Sequence, residues 1–177
     1  LPDSLAWVLQ DFLDHLGIER GLSENTVSSY GRDLRRYLVD LASRGITTLD
    51  EVTEADVDQH AQHLASLTGP TGKPLAATSI ARAIVAIRSL HRFAASEGVT
   101  AIDPSADITP PRPGQRLPKA LDRDQVDALL AAPDTSTVEG LRDVALLELL
   151  YGTGARISEV CALDVDETSR ALSDPQA

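Results

Sequence analysis

Arg156 and Glu159 stand three residues apart in "YGTGARISEV", just beyond two glycines, Gly152 and Gly154. A planar guanidinium presents paired donors that match two oxygens of a phosphate. The sequence starts a helix near Arg156, whose free N–H groups and positive dipole end favour an anion beside the arginine. The glycines let the backbone turn tightly after the preceding helix. A glutamate three positions on lies on the same helical face and can orient the guanidinium. Two readings of this pair follow from the residues alone: a phosphate grip, or an Arg–Glu pair that closes a helical hairpin.

Two further arginine-rich faces carry chemistry of the same kind. On a helical wheel after "GLSENT", Val27, Tyr30, Leu34, Tyr37, Leu38 and Leu41 form an apolar stripe. Ser28, Ser29, Arg32, Arg35 and Arg36 lie largely opposite it, with Asp33 and Asp40 at its edge. In a later segment Ile80, Ile84, Ile87, Leu90 and Ala94 face inward. Arg82, Arg88, Ser89 and Arg92 spread over the other side, with Thr78 and Ser79 at the start and Lys73 in the loop before. No acid falls between Thr78 and Ser96. Acids collect instead at Asp50, Glu51, Glu54, Asp56 and Asp58. Such segregation fits phosphate binding, and it also fits two ordinary solvated faces.

The elements that must position these faces are helices. Four amphipathic helices are expected before residue 100: about Ser4 to Leu16; from the N-cap Ser23 to about Ser43; from a Thr53–Asp56 capping box to the turn-rich "TGPTGKP"; and about Thr78 to Ser96. Five prolines then fall in the 16 residues "DPSADITPPRPGQRLP", Asp103–Pro118, which predicts an extended linker and a domain boundary. Beyond it, Asp122 caps a helix with Gln125 three residues on, "TVEGLRDVALLELLYGTG" makes another closed by Gly152 and Gly154, and "RISEVCALDVDE" makes a short third. The expectation is an all-α chain: a four-helix domain over 1–102, a linker over 103–118 and a second helical piece over 119–177.

Composition sets the outer bounds. Aromatics make up 3% of the 177 residues, so the core must be aliphatic, which suits helices. The single cysteine, Cys161, precludes an internal disulfide, fits a reducing cytoplasm, and reads as a small buried hydrophobe. No apolar run is long enough for a membrane span. The absence of methionine suggests that Leu1 is not a natural start and that the chain is a segment of a longer product. The net charge of −11 argues against a phosphate partner when taken as an average. Its distribution softens that argument: residues 1–116 carry 11 Lys and Arg against 15 Asp and Glu, and residues 117–177 carry 5 against 12. His60-x-x-His63 puts two imidazoles on one helical face, but with no third ligand in view no metal site is assigned, and no cofactor is expected.

"LLELLYGTGARISEVCALDVDE" resembles the first arginine motif of the tyrosine recombinases, the phage-integrase family, and is closest to their Xer-type branch, which resolves chromosome dimers. "FLDHLGIERGLSENTVSSYGRDLRRYLVDLASRGI" resembles the opening of their core-binding domain, and "SIARAIVAIRSLHRFAASEG" its later DNA-contacting helix. "DPSADITPPRPGQRLPKALDRDQVDALLAAP" resembles their linker and the entry to the catalytic domain. The likeness runs in order over about residues 5 to 167.

The resemblance implies a SAM-like four-helix DNA-binding domain, a linker tracking round the duplex, and the helical start of a catalytic domain. Arg156 would be the first catalytic arginine, on the scissile phosphate, with Glu159 in support. Ser28, Arg32, Arg35, Arg36, Lys73, Thr78, Ser79, Arg82, Arg88, Ser89 and Arg92 would face DNA, partly on phosphates and partly toward a major groove. The implied partners are a double-stranded recombination site and a recombinase of the same family, within a heterotetramer.

Family members carry further groups after this arginine: a hairpin lysine, a His-x-x-Arg and a nucleophilic tyrosine. Here His15, His60, His63 and His91, and Tyr30, Tyr37 and Tyr151, all precede Arg156. The last residues, "TSRALSDPQA", lack strand alternation. The chain on its own is therefore expected to hold DNA without forming a phosphotyrosyl link, its tetramers impaired and its apolar surface from Ala145 to Leu163 exposed. An inert DNA- or recombinase-binding module that regulates a full-length enzyme remains the alternative. A helix-turn-helix regulator fits the long helices poorly, and a scaffold with no ligand leaves the charge segregation without a use.

Overall fold

A computed structural model describes residues 1–68, 72–111 and 120–173 of the chain. It forms two compact units, Leu1–Gln115 and Arg116–Ala177.

The first unit is built from α1 (Asp3–Asp14), α2 (Glu24–Ser43), α3 (Glu54–Ser66) and α4 (Ala77–Ser96). Their starts follow the sequence closely. Ser23 Oγ accepts the Thr26 N–H at α2, and Thr53 and Asp56 cap α3 reciprocally. Helix α2 packs on both α1 and α4. Leu5, Leu34, Tyr37, Leu38, Leu41, Ala86 and Leu90 are closed to solvent between them, and each large apolar side chain so buried contributes roughly 1.5–3 kcal/mol. Gly31 lets α1 and α2 come close: a Cβ there would stand 3.3 Å from Leu13 Cδ1.

Two short elements were not legible in the sequence. A π-turn, His15–Glu19, continues α1, with the Arg20 N–H donating to the His15 carbonyl. A 3₁₀ turn, Leu49–Glu51, precedes α3, and Glu51 accepts the Thr47 and Thr48 N–H groups.

The proline-rich stretch departs from the expected linker at its start. Asp103 Oδ1 accepts from the Ser105 N–H and Oγ, Ser105 is buried, and Ile108 enters the first core. An apolar residue four positions after Pro104 is enough to hold this turn against the domain. The expected remainder of the linker, Arg112–Pro118, lies outside the described residues.

The second unit contains α5 (Arg123–Leu130), α6 (Val138–Thr153), α7 (Ile157–Cys161) and α8 (Val165–Ser173). Asp122 and Gln125 form the expected capping box on α5, and Thr137 caps α6. "RISEVCALDVDE" is not one helix: it breaks after Cys161, and Asp164 Oδ1 accepts the Asp166 N–H where α8 begins. Among the described residues there is no strand, only an isolated antiparallel bridge between Thr68 and Pro74. No helix among them is long and apolar enough to cross a membrane.

Candidate nucleic-acid interface

Asp33 was expected at the edge of an exposed face. It is instead 4% exposed, and it receives Arg82 through two bonds, Nε to Oδ2 at 2.9 Å and Nη2 to Oδ1 at 3.4 Å. The position next to Leu34 turns inward because α4 packs there, and the buried carboxylate then requires a cation. The bonds it donates to Asp33 raise the pKa of the Arg82 guanidinium above its usual value. Arg82 thus ties α2 to α4 and is not a free surface cation.

The other expected contacts of α2 remain outside. Ser28, Arg32, Arg35 and Arg36 are exposed. Among the described residues Arg32 bonds only Ser29 Oγ, at 3.2 Å, and neither Arg35 nor Arg36 meets an acid. On α4, Arg92 is exposed and likewise meets no acid among the described residues, whereas Arg88 is half-buried and donates to the Ala106 carbonyl. Ser89 Oγ donates to the Val85 carbonyl, Ser79 is half-buried, and Thr78 and Lys73 are exposed. The arginine faces of α2 and α4 therefore belong to one packed unit, with the Asp33–Arg82 pair between them.

Several acids of the same unit are engaged elsewhere. Arg44 donates to Asp40, Asp56 and Gln59, joining α2 to α3. Thr53 and Arg44 hold the Asp56 pKa below its ordinary value. Beneath this network lie two buried histidines. His60 Nδ1 donates to Asp40 at 2.9 Å, and His91 Nε2 bonds Tyr37 Oη at 2.8 Å. Among the described residues His60 Nε2 and His91 Nδ1 have no hydrogen-bond partner. Burial lowers both pKa values, that of His91 to about 4, and pushes the Tyr37 phenol up. His60 thus points into the core while His63 is exposed, and no group of three metal-ligating side chains occurs among the described residues. The sequence marked His91 only as a histidine; its place on the inward face, four residues after Ile87, was the available signal.

In the second unit Arg156 precedes α7 with an extended backbone, φ −74° and ψ 149°. Its side chain is 82% exposed, and Nη1 meets Glu159 Oε1 at 2.9 Å. Glu159 Oε2 accepts the Arg156 N–H at 2.7 Å, and this bond with the guanidinium lowers the glutamate pKa. The N–H groups expected to be free here are partly used, since Glu159 N–H donates to the Arg156 carbonyl. Only one of the two glycines makes the turn. Gly154 closes α6 with φ 66°, a conformation that suits glycine, while Gly152 is still helical. Cys161, expected to be buried, is exposed at the end of α7, because Val160 takes the inward position.

Comparison with known proteins gives concordant matches. Residues 9–98 match the family described as phage integrase, N-terminal SAM-like domain, and residues 119–171 match the phage integrase family. The chain is 50% identical over 169 residues to tyrosine recombinase XerD of Mycobacterium tuberculosis (strain ATCC 25618 / H37Rv), covering 93% of this chain and 54% of that protein. It is 49% identical over 164 residues to XerD of Mycobacterium leprae (strain TN), covering 90% and 52%. With Corynebacterium glutamicum XerD it shares 44% over 162 residues, covering 89% and 53%. The chain spans about half the length of the curated relatives it matches.

Proposed function

The chain belongs to the phage integrase family, and on that basis we propose that it is the DNA-binding portion of a site-specific tyrosine recombinase of Xer type, acting in chromosome dimer resolution. The observation that carries this reading is the pair of packed helices α2 and α4, whose exposed Arg32, Arg35, Arg36 and Arg92 meet no acid among the described residues although the chain as a whole is acidic. Unneutralised guanidiniums suit a phosphate backbone, and their side-by-side helices suit a groove and its two edges.

In this reading the duplex meets α2 and α4 of the first unit. Arg156 takes the scissile phosphate and disperses charge as phosphorus becomes five-coordinate, with Glu159 aligning the fork. The second macromolecular partner is a recombinase of the same family bound to the same site. The net charge of −11 makes binding by a single copy weak and strongly salt-dependent.

The test is gel retardation of the full chain on a palindrome-like recombination-site duplex against a scrambled one, over a salt series. Arg35→Ala combined with Arg36→Ala is the variant of choice, since Arg82→Ala would also loosen the fold through Asp33. Preferential retardation of the site at low salt is expected. The double variant should weaken it about tenfold or more and flatten the salt slope by about two. No retardation of either duplex at low salt would remove the reading.

A further inference from the structure

Arg20 took no part in the arginine faces read from the sequence, yet the fold brings it to one cleft with Arg92. The cleft, about 220 Å³, opens between the π-turn and the second half of α4. Its floor is aromatic: Phe12 and Phe93 have ring centroids 5.3 Å apart, and His15 lies 4.9 Å from Phe93. Its polar rim consists of Arg20, Arg92, Ser89 and Ser96.

The hydrogen bonds decide what the rim can still offer. Ser89 Oγ and Ser96 Oγ donate to the carbonyls of Val85 and Phe93, so their protons are used. Glu19, the nearest acid in sequence, is joined to His15 Nδ1 at 2.7 Å. Neither Arg20 nor Arg92 has an acid partner among the described residues. Two like charges share a partly enclosed space, where their repulsion is less screened than in bulk water. An anion between them removes that cost, and two planar forks present donors to several oxygens at once. An apolar floor under a cationic rim suits a compact anion at the mouth better than a long acidic side chain.

We propose that this cleft seats one backbone phosphate of nucleic acid, held by Arg20 and Arg92 together. The proposal rests on the DNA-binding reading above and adds to it Arg20, which lies outside helices α2 and α4. A phosphate seat carries no base information, so it fixes register without choosing sequence.

The experiment is a fluorescence-anisotropy titration of the full chain with recombination-site and scrambled duplexes over a salt series. Wild type, Arg20→Gln, Arg92→Gln and the double variant are compared, with the Arg35/Arg36 alanine variant alongside. Both seat arginines are exposed and their side chains make no hydrogen bond among the described residues, so circular-dichroism melts should be unchanged. Each single change should weaken both duplexes several-fold and equally. The double variant should flatten the salt slope by about one, because one phosphate is lost and not two. Unchanged affinity and slope in the double variant, while the Arg35/Arg36 variant loses binding, would overturn the seat and leave the DNA reading standing. A loss confined to the recombination-site duplex would overturn it too. If wild type binds neither duplex, inorganic phosphate is titrated while the Arg20 and Arg92 Nε–H resonances are followed. Shifts there would overturn the nucleic-acid source, and their absence would overturn the seat.

Discussion

The two units are made of the same kind of helix and end in different states. The first closes a core over Leu5, Leu34, Leu38, Leu41, Ile87 and Leu90. The second buries one large hydrophobic among its described residues, Val160, and leaves Leu129, Leu141, Leu149, Ile157 and Leu163 about half exposed. Caps and turns are as good in the second as in the first, with reciprocal capping on α5 and a left-handed glycine closing α6. Local signals therefore form helices in both, while only long-range burial makes one of them a stable body. The arginines differ in parallel. In the second unit Arg142 and Arg156 bond neighbouring acids in solvent, whereas in the first Arg44 and Arg82 bond acids that bridge helices, and Arg20, Arg35, Arg36 and Arg92 meet no acid among the described residues.

The largest test of this contrast is a matched pair of truncations. Leu34→Ala should destabilise the first unit by about 4 kcal/mol through loss of buried area and the cavity left behind. Leu141→Ala, at a side chain already 56% exposed, should change the melt of the second by less than about 0.5 kcal/mol. Denaturant titration read by amide exchange resolves the two units. Equal losses would mean that the second unit has a core of its own.

Acid should act on the first unit next. His60 and His91 have folded pKa values below the unfolded 6.5, so the unfolded chain binds more protons as pH falls. The stabilising contribution of each is complete above pH 6.5 and is lost as pH falls, for His91 on descending toward about 4. For His91 that amounts to roughly 3 kcal/mol. The loss should appear as a melting temperature of the first unit that falls between those pH values and is restored in part by His91→Gln. A flat profile would mean that both rings are hydrated or partnered in solution.

The smallest effect concerns the bond between the two basic helices. Asp33→Asn should cost about 1–2 kcal/mol, less than a fully buried pair because Arg82 is 46% exposed. It should also weaken duplex binding while Arg35 and Arg36 remain in place. Unchanged stability with unchanged binding would reduce the pair to a surface contact.

Much of this was legible in the sequence for a definite reason. Ser23, Thr53 and Asp122 act within four residues of themselves, so the helix starts could be read directly. The apolar stripe of α2 predicted its buried face for the same reason of periodicity. What escaped depended on partners distant in the chain. Asp33 lies inside because of Arg82, 49 residues away, and Ile108 lies inside because the turn after Asp103 folds back. A wheel assigns Asp33 to an edge; only the packing of α4 decides which side of that edge is dry. Arg20 was missed because the π-turn sets where it points, and that turn has no marker in the residues His15–Glu19. Arg156 and Glu159 met as their spacing required, within one helical turn.

Gly31 has a consequence that reaches beyond its own contact. With 3.3 Å between its absent Cβ and Leu13 Cδ1, the position works as a shim of zero thickness between α1 and α2. Alanine would force Leu13 to give by a few tenths of an ångström, and a branched side chain would lever α1 outward. Because the π-turn continues α1, that lever carries Arg20 with it, away from Arg92 on a helix that has not moved. The gauge between two charged side chains is thereby set by a residue with none, and substitution at Gly31 would detune that gauge without touching either arginine.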